Sequence, residues 1–159
     1  MNSIEALLVE LLIGEKMKLA TAESCTGGLI AQKITSVPGA SECFDCGVVT
    51  YSNEQKRNLL GVSAETLEQY GAVSEQTALE MCKGVKEVAD ADFGISVTGI
   101  AGPGGGTAEK PVGTVWIGIC GKNIHKAEKF LFDGDRNQVR ESTANTALNM
   151  VMEIINGIS

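Results

Sequence analysis

A hydroxyl or thiol placed between an apolar run and a glycine pair is a position where a nucleophile can be held. In "LATAESCTGGLIAQKI", residues 19–34, Ser24, Cys25 and Thr26 stand directly before Gly27 and Gly28. The pattern predicts a strand-to-helix turn, and the amides of residues 25–28 are then expected to be free helix-start donors. Such donors can bind a phosphate or a developing oxyanion. Gly27 and Gly28 would let a ligand come close to the backbone. Simple capping of the helix by Ser24 or Thr26 explains the same residues, and both readings stay open here. Cys25 ranks below Ser24 as a nucleophile. No histidine is placed to activate it, and its side chain is expected to turn inward.

A nucleophilic serine needs a base. The one histidine, His125, falls in a predicted hairpin, which argues against a Ser-His-Asp triad. Lysine is the other common choice, and Lys56 lies one turn into the helix after the second strand. It is too distant in sequence for a local S-x-x-K signature, so the fold would have to bring it to Ser24. As a base near neutrality its pKa must fall toward roughly 7–8, through burial or a nearby cation. A solvated helix lysine is the alternative.

Two further segments hold candidates. "GIAGPGGGTAEKP", from Gly99, lacks the G-K-[ST] of a Walker A loop, and a strand rather than a helix follows it. Its Gly99 and Gly102 still suggest close backbone approach to a ligand, with Thr98 presenting a hydroxyl. Arg136 and Arg140, at helix spacing, either clamp a phosphate or face solvent as a pair.

These residues need elements to position them. Ser3 caps a predicted helix that Gly14 ends; Lys18–Ala22 reads as a strand and Gly27–Ser36 as a helix stopped by Pro38-Gly39. "CGVVTY", Cys46–Tyr51, is a second strand, followed by helices over Asn53–Leu60, from Ser63 and from Ser74. Phe93–Thr98, Val112–Cys120 and Ile124–Phe132 read as three more strands, the last two joined by a tight turn at Gly121-Lys122-Asn123, before a final helix after "DGDRNQ". Helical crossovers make the first three strands parallel, and the hairpin makes the fourth antiparallel to its neighbours. The prediction is an α/β fold: a three-layer α/β/α sandwich on a mixed five-stranded sheet with strand four antiparallel. The polar or glycine-rich segments after strands one, two, three and five then share one sheet edge, where open α/β sheets bind ligands.

The chain of 159 residues is expected to form a single domain, residues 1–159, and its formal net charge of −7 argues against broad nucleic-acid or anionic-membrane binding. No stretch has the length and apolarity of a membrane span, and the N-terminus has no basic region of a secretory signal, so a cytoplasmic protein is expected. Five cysteines at uneven spacing fit a reducing compartment. Cys43 and Cys46 form a CxxC, but with no second CxxC and one histidine it reads as coincidence rather than a zinc site.

Together "TAESCTGG", "VVTYSNEQK", "GAVSEQTA", "VTGIAGPGGGTAEKPVGTVWIG" and "FDGDRNQVR" resemble the CinA C-terminal domain family, also called PncC or nicotinamide-nucleotide amidase. The resemblance runs from about Lys18 to Arg140 with the motifs in order. It implies hydrolysis of the carboxamide of nicotinamide mononucleotide (NMN) to nicotinate mononucleotide and ammonia, in pyridine nucleotide salvage, by a Ser/Lys amidohydrolase with no metal or other cofactor. Carried over by motif, Ser24 is the nucleophile and Lys56 the base. Thr26, Gly27, Gly28, Tyr51, Thr98, Gly99, Gly102, Arg136 and Arg140 would line the substrate pocket. The molybdopterin-binding-like domain of longer CinA proteins does not occur in this sequence, so its separate pyrophosphatase activity is not expected. A homodimer is compatible with apolar helices on both sheet faces. The rival reading is a non-catalytic nucleotide-binding module that regulates a partner; such a module would not need both Ser24 and Lys56.

Overall fold

The computed structural model describes residues 2–157. Twelve short elements follow one another as α1 (Ile4–Gly14), β1 (Leu19–Glu23), α2 (Leu29–Thr35), a 3-10 turn (Ala40–Glu42), β2 (Phe44–Val49), α3 (Asn53–Leu60), α4 (Ala64–Tyr70), α5 (Glu75–Ala89), β3 (Phe93–Gly99), β4 (Thr114–Gly121), β5 (Ile124–Leu131) and α6 (Arg136–Gly157). Apart from the 3-10 turn, this is the predicted order. The sheet runs β2-β1-β3-β4-β5. β1 pairs parallel with β2 and β3, while β4 is antiparallel to both β3 and β5.

Strand alternation sorts the layers. Leu19 of β1, Phe93, Ile95 and Val97 of β3, and Val115, Ile117 and Ile119 of β4 pack with α1, α2 and α6 in the larger core. Ala20 and Ala22 face the other way, onto Leu60 of α3 and Met81 and Val85 of α5. That second face is lined with small residues because α5 lies very close to the sheet. A Cβ at Gly94 would collide with the Cys82 carbonyl, and Ser96 donates to Ala78 O at 2.6 Å.

Most element starts have a local cause. Ser3, Ser52, Ser63 and Ser74 are extended N-caps whose hydroxyls accept an amide of the first turn. α6 opens on a reciprocal pair: Asp135 accepts from Gln138 N at 2.9 Å, and Gln138 accepts from Asp135 N at 2.8 Å. α2 begins two residues later than predicted. Gly27 and Gly28 have φ of +61° and +102°, a left-handed pair that cannot belong to a right-handed helix. β1 is shifted one residue toward the C-terminus of its predicted span. β2 starts earlier because Phe44 and Cys46 already pair with Leu19 and Ala20 across an irregular register. β4 starts after Gly113, whose φ of +96° breaks the extended run.

Candidate active site

The C-terminal ends of β1, β2, β3 and β5 and the start of β4 share one sheet edge. Glu23 and Ser24 are successive residues at the end of β1, so they leave it on opposite faces. Glu23 enters the α2 layer, and Ser24 faces the α3 layer. Within α3 only Lys56 and Leu60 are buried, one turn apart on the inner face. The separation of layers thus sends Ser24 and Lys56 toward each other.

Their contact is direct. Lys56 Nζ donates to Ser24 Oγ at 3.0 Å and to the Thr50 carbonyl at 2.8 Å. Lys56 is 2% exposed and Ser24 9%. Among the described residues no carboxylate pairs with Lys56. Burial pushes its pKa down from the ordinary 10.5, with no ion pair to restore it. In the neutral form the amine keeps an N–H on Thr50 O and has a lone pair for the Ser24 proton. The site can therefore take a proton from a serine hydroxyl and hand one to a leaving group across a single 3.0 Å contact. Cys25 is the opposite case. It is buried in the larger core, and burial with the Glu23 charge outweighs its own amide, Lys56 and Arg140, so its thiol is pushed up to about 12. It has no thiolate near neutrality.

The turn after Ser24 is held from several sides. Gly27 N donates to Ser24 O at 3.0 Å and Leu29 N to Thr26 O at 3.1 Å. Ile30 N and Ala31 N donate to Glu23 Oε1 and Oε2 at 2.8 and 3.0 Å. Of the amides expected to be free, that of Gly27 is therefore spent within the turn. Those of Cys25, Thr26 and Gly28 have no protein acceptor among the described residues. The Thr26 hydroxyl is fully buried and donates to Glu23 Oε1 at 2.6 Å, so Thr26 can meet a ligand only through its backbone.

The remaining candidates reach the same edge. Thr98, on the Ser24 face of β3, donates its hydroxyl to Ala72 O at 2.8 Å. Gly99 has no room for a Cβ beside Val115 and the Thr114 carbonyl, and Gly102 none beside Val112. Arg136 ties two loops together, donating to Gly102 O at 2.7 Å and to the Tyr51 hydroxyl at 2.9 Å. Tyr51 is 63% exposed. Arg140 donates to Thr26 O at 2.7 Å, and its Nη2 would lie 2.7 Å from a Cβ at Gly27. Arg136 is exposed, whereas Arg140 is half-buried against the turn. His125 stands apart, with Nε2 3.0 Å from Leu79 O. Sequence reasoning did not single out Thr50, which acts through a carbonyl that any residue carries, or Glu23. For Glu23 a signal was present: a carboxylate at the end of a strand with no other charged residue.

Comparison with known proteins places this edge in a recognised domain. A model of the CinA C-terminal domain matches residues 1–155. Competence-damage inducible proteins of Thermoanaerobacter sp. strain X514 and Clostridium acetobutylicum are each 52% identical, over 99% and 98% of this chain. The chain spans 38% of the length of each of those relatives. A CinA superfamily protein of Klebsiella pneumoniae superposes with a TM-score of 0.93 at 36% identity, covering 97% of this chain and 96% of that one. The competence/damage inducible protein of Agrobacterium tumefaciens gives a TM-score of 0.87 at 42% identity, covering 98% of both.

Proposed function

The chain belongs to the CinA C-terminal domain family, and from that premise we propose that it is an amidohydrolase that converts NMN to nicotinate mononucleotide and ammonia. The observation that carries the reading is the buried, carboxylate-free Lys56 amine 3.0 Å from Ser24 Oγ. A binding module gains nothing from burying a lysine beside a serine, because desolvation of the amine costs stability.

In this reading Ser24 Oγ attacks the carboxamide carbon while its proton passes to neutral Lys56. The carbonyl oxygen becomes an oxyanion, held by the unspent amides of Cys25 and Thr26. Protonated Lys56 then gives its proton to the amide nitrogen, the C–N bond breaks, and ammonia leaves an ester on Ser24. Water attacks that ester with Lys56 again taking the proton, and the acid departs as Ser24 recovers its hydrogen. Thr50 O keeps the amine oriented throughout. Tyr51, Thr98, Gly99 and Gly102 form the walls around the ribose and base. Arg136 faces solvent and is the first candidate for the phosphate, which a chain of net charge −7 must attract locally.

The test is ammonia release from NMN by the purified protein, with Ser24→Ala as the blank. Release by the wild type alone supports the reading. Binding of NMN without release by either protein would favour a regulatory module.

A further inference from the structure

Glu23 is the most buried carboxylate at the sheet edge, 1% exposed, and among the described residues it has no cationic partner. A charge in such a place is held only if its lone pairs are met by donors. Three are: Thr26 Oγ1 at 2.6 Å, Ile30 N at 2.8 Å and Ala31 N at 3.0 Å. Two of these are first-turn amides of α2, so the carboxylate sits at that helix start, where a negative charge is favoured. Helix capping alone would not need the third donor. That hydroxyl belongs to Thr26, whose carbonyl is also gripped by Arg140 at 2.7 Å. The backbone between Glu23 and Thr26 carries Ser24 and the unspent amides of Cys25 and Thr26.

We propose that Glu23 is a positioning residue for the reaction at Ser24: its carboxylate, closed by Thr26 Oγ1 and the amides of Ile30 and Ala31, fixes the pose of the turn that presents the nucleophile and its oxyanion donors. The inference rests on the amidohydrolase reading for its substrate, but its geometry concerns Ser24 alone. Glu23→Gln keeps the side-chain size and puts an NH2 where a backbone N–H already donates. The turn must then shift, and a shift near 1 Å costs on the order of 100-fold in rate.

The experiment measures two rates in the wild type, Glu23→Gln, Thr26→Val and Thr26→Ser: ammonia release from NMN, and covalent labelling of Ser24 by a fluorophosphonate, followed by intact mass with Ser24→Ala as the blank. Circular dichroism and thermal melting establish folding. Glu23→Gln should lose about 100-fold in kcat and in labelling rate, with KM changed less than about three-fold. Thr26→Val should lose about ten-fold, and Thr26→Ser, which restores the donor, should recover to within about three-fold. A folded Glu23→Gln that loses less than ten-fold in both rates overturns the proposal. If Glu23→Gln does not fold, a Thr26→Val as fast as the wild type overturns it instead. If Ser24 is labelled but NMN is not hydrolysed, the substrate reading fails and the labelling rates alone decide the role of Glu23. A wild type not labelled at Ser24 overturns both.

Discussion

Replacing Lys56 with Met separates catalysis from stability, because the two side chains are nearly the same length and differ at the buried terminus. The substitution removes the one group among the described residues that lies 3.0 Å from Ser24 Oγ and can take its proton. Loss of a positioned base costs about 10²–10⁴-fold, which at 1.36 kcal/mol per decade is about 2.7–5.4 kcal/mol of activation free energy. Stability faces two opposed terms. Thr50 O loses its donor, at about 1–3 kcal/mol for a buried unpaired acceptor. Against that, the amine that burial disfavours is gone. The terms have similar size, so Lys56→Met should melt within a few degrees of the wild type while losing at least 100-fold in kcat. The pH profile adds a sign. In the proposed mechanism Lys56 acts when deprotonated, and burial lowers its pKa from the ordinary 10.5, so kcat/KM should rise with pH through that lowered value. Lys56→Arg should lose both rate and rise, since arginine does not deprotonate there. The assay is initial ammonia release from pH 5 to 10 for all three proteins. A Lys56→Met enzyme within ten-fold of the wild type, or an unchanged pH limb in Lys56→Arg, would refute the base assignment.

Ser24→Ala should abolish ammonia release while NMN still binds by calorimetry. Cys25→Ala should lose far less, because a thiol with a pKa of about 12 supplies no thiolate; the reverse pattern would install Cys25 as the nucleophile. Arg136→Ala should lower kcat/KM for NMN by about 1.5–3 kcal/mol, with little loss on nicotinamide riboside, which has no phosphate. An equal loss on both substrates would make Arg136 a strut between Gly102 and Tyr51 rather than a phosphate ligand. Gly84→Ala should destabilise by at least about 1–3 kcal/mol in denaturant titration, since its Cβ would collide with the Leu60 carbonyl; unchanged stability would mean that α3 and α5 separate freely.

Element order and strand direction were readable because alternation, N-cap serines and glycine stops all have local causes. The hairpin direction at Gly121–Asn123 then gave strand four its antiparallel sense. What was not readable came from contacts between distant segments. Whether Lys56 lay on a solvated face could not be decided from α3 alone, whose residues are mostly polar; the close seating of α5 and the facing of Ser24 decide it. The Arg136 and Arg140 spacing suggested a pair with one role. The fold instead gives Arg140 to the Thr26 carbonyl and Arg136 to two loops, because residues four apart on α6 reach different depths. Expecting free amides across residues 25–28 missed only that Gly27 N closes a turn onto Ser24 O; those of Cys25, Thr26 and Gly28 have no protein acceptor among the described residues.

The central claim is that Ser24 carries the acyl group, and hydroxylamine tests it most directly. An ester on Ser24 can pass its acyl group to hydroxylamine as well as to water. Turnover of NMN in increasing hydroxylamine should therefore give the hydroxamate of the mononucleotide alongside nicotinate mononucleotide, in a ratio that rises with hydroxylamine, and neither product should form with Ser24→Ala. Nicotinate mononucleotide as the sole product at every hydroxylamine concentration, or either product from Ser24→Ala, would contradict the account.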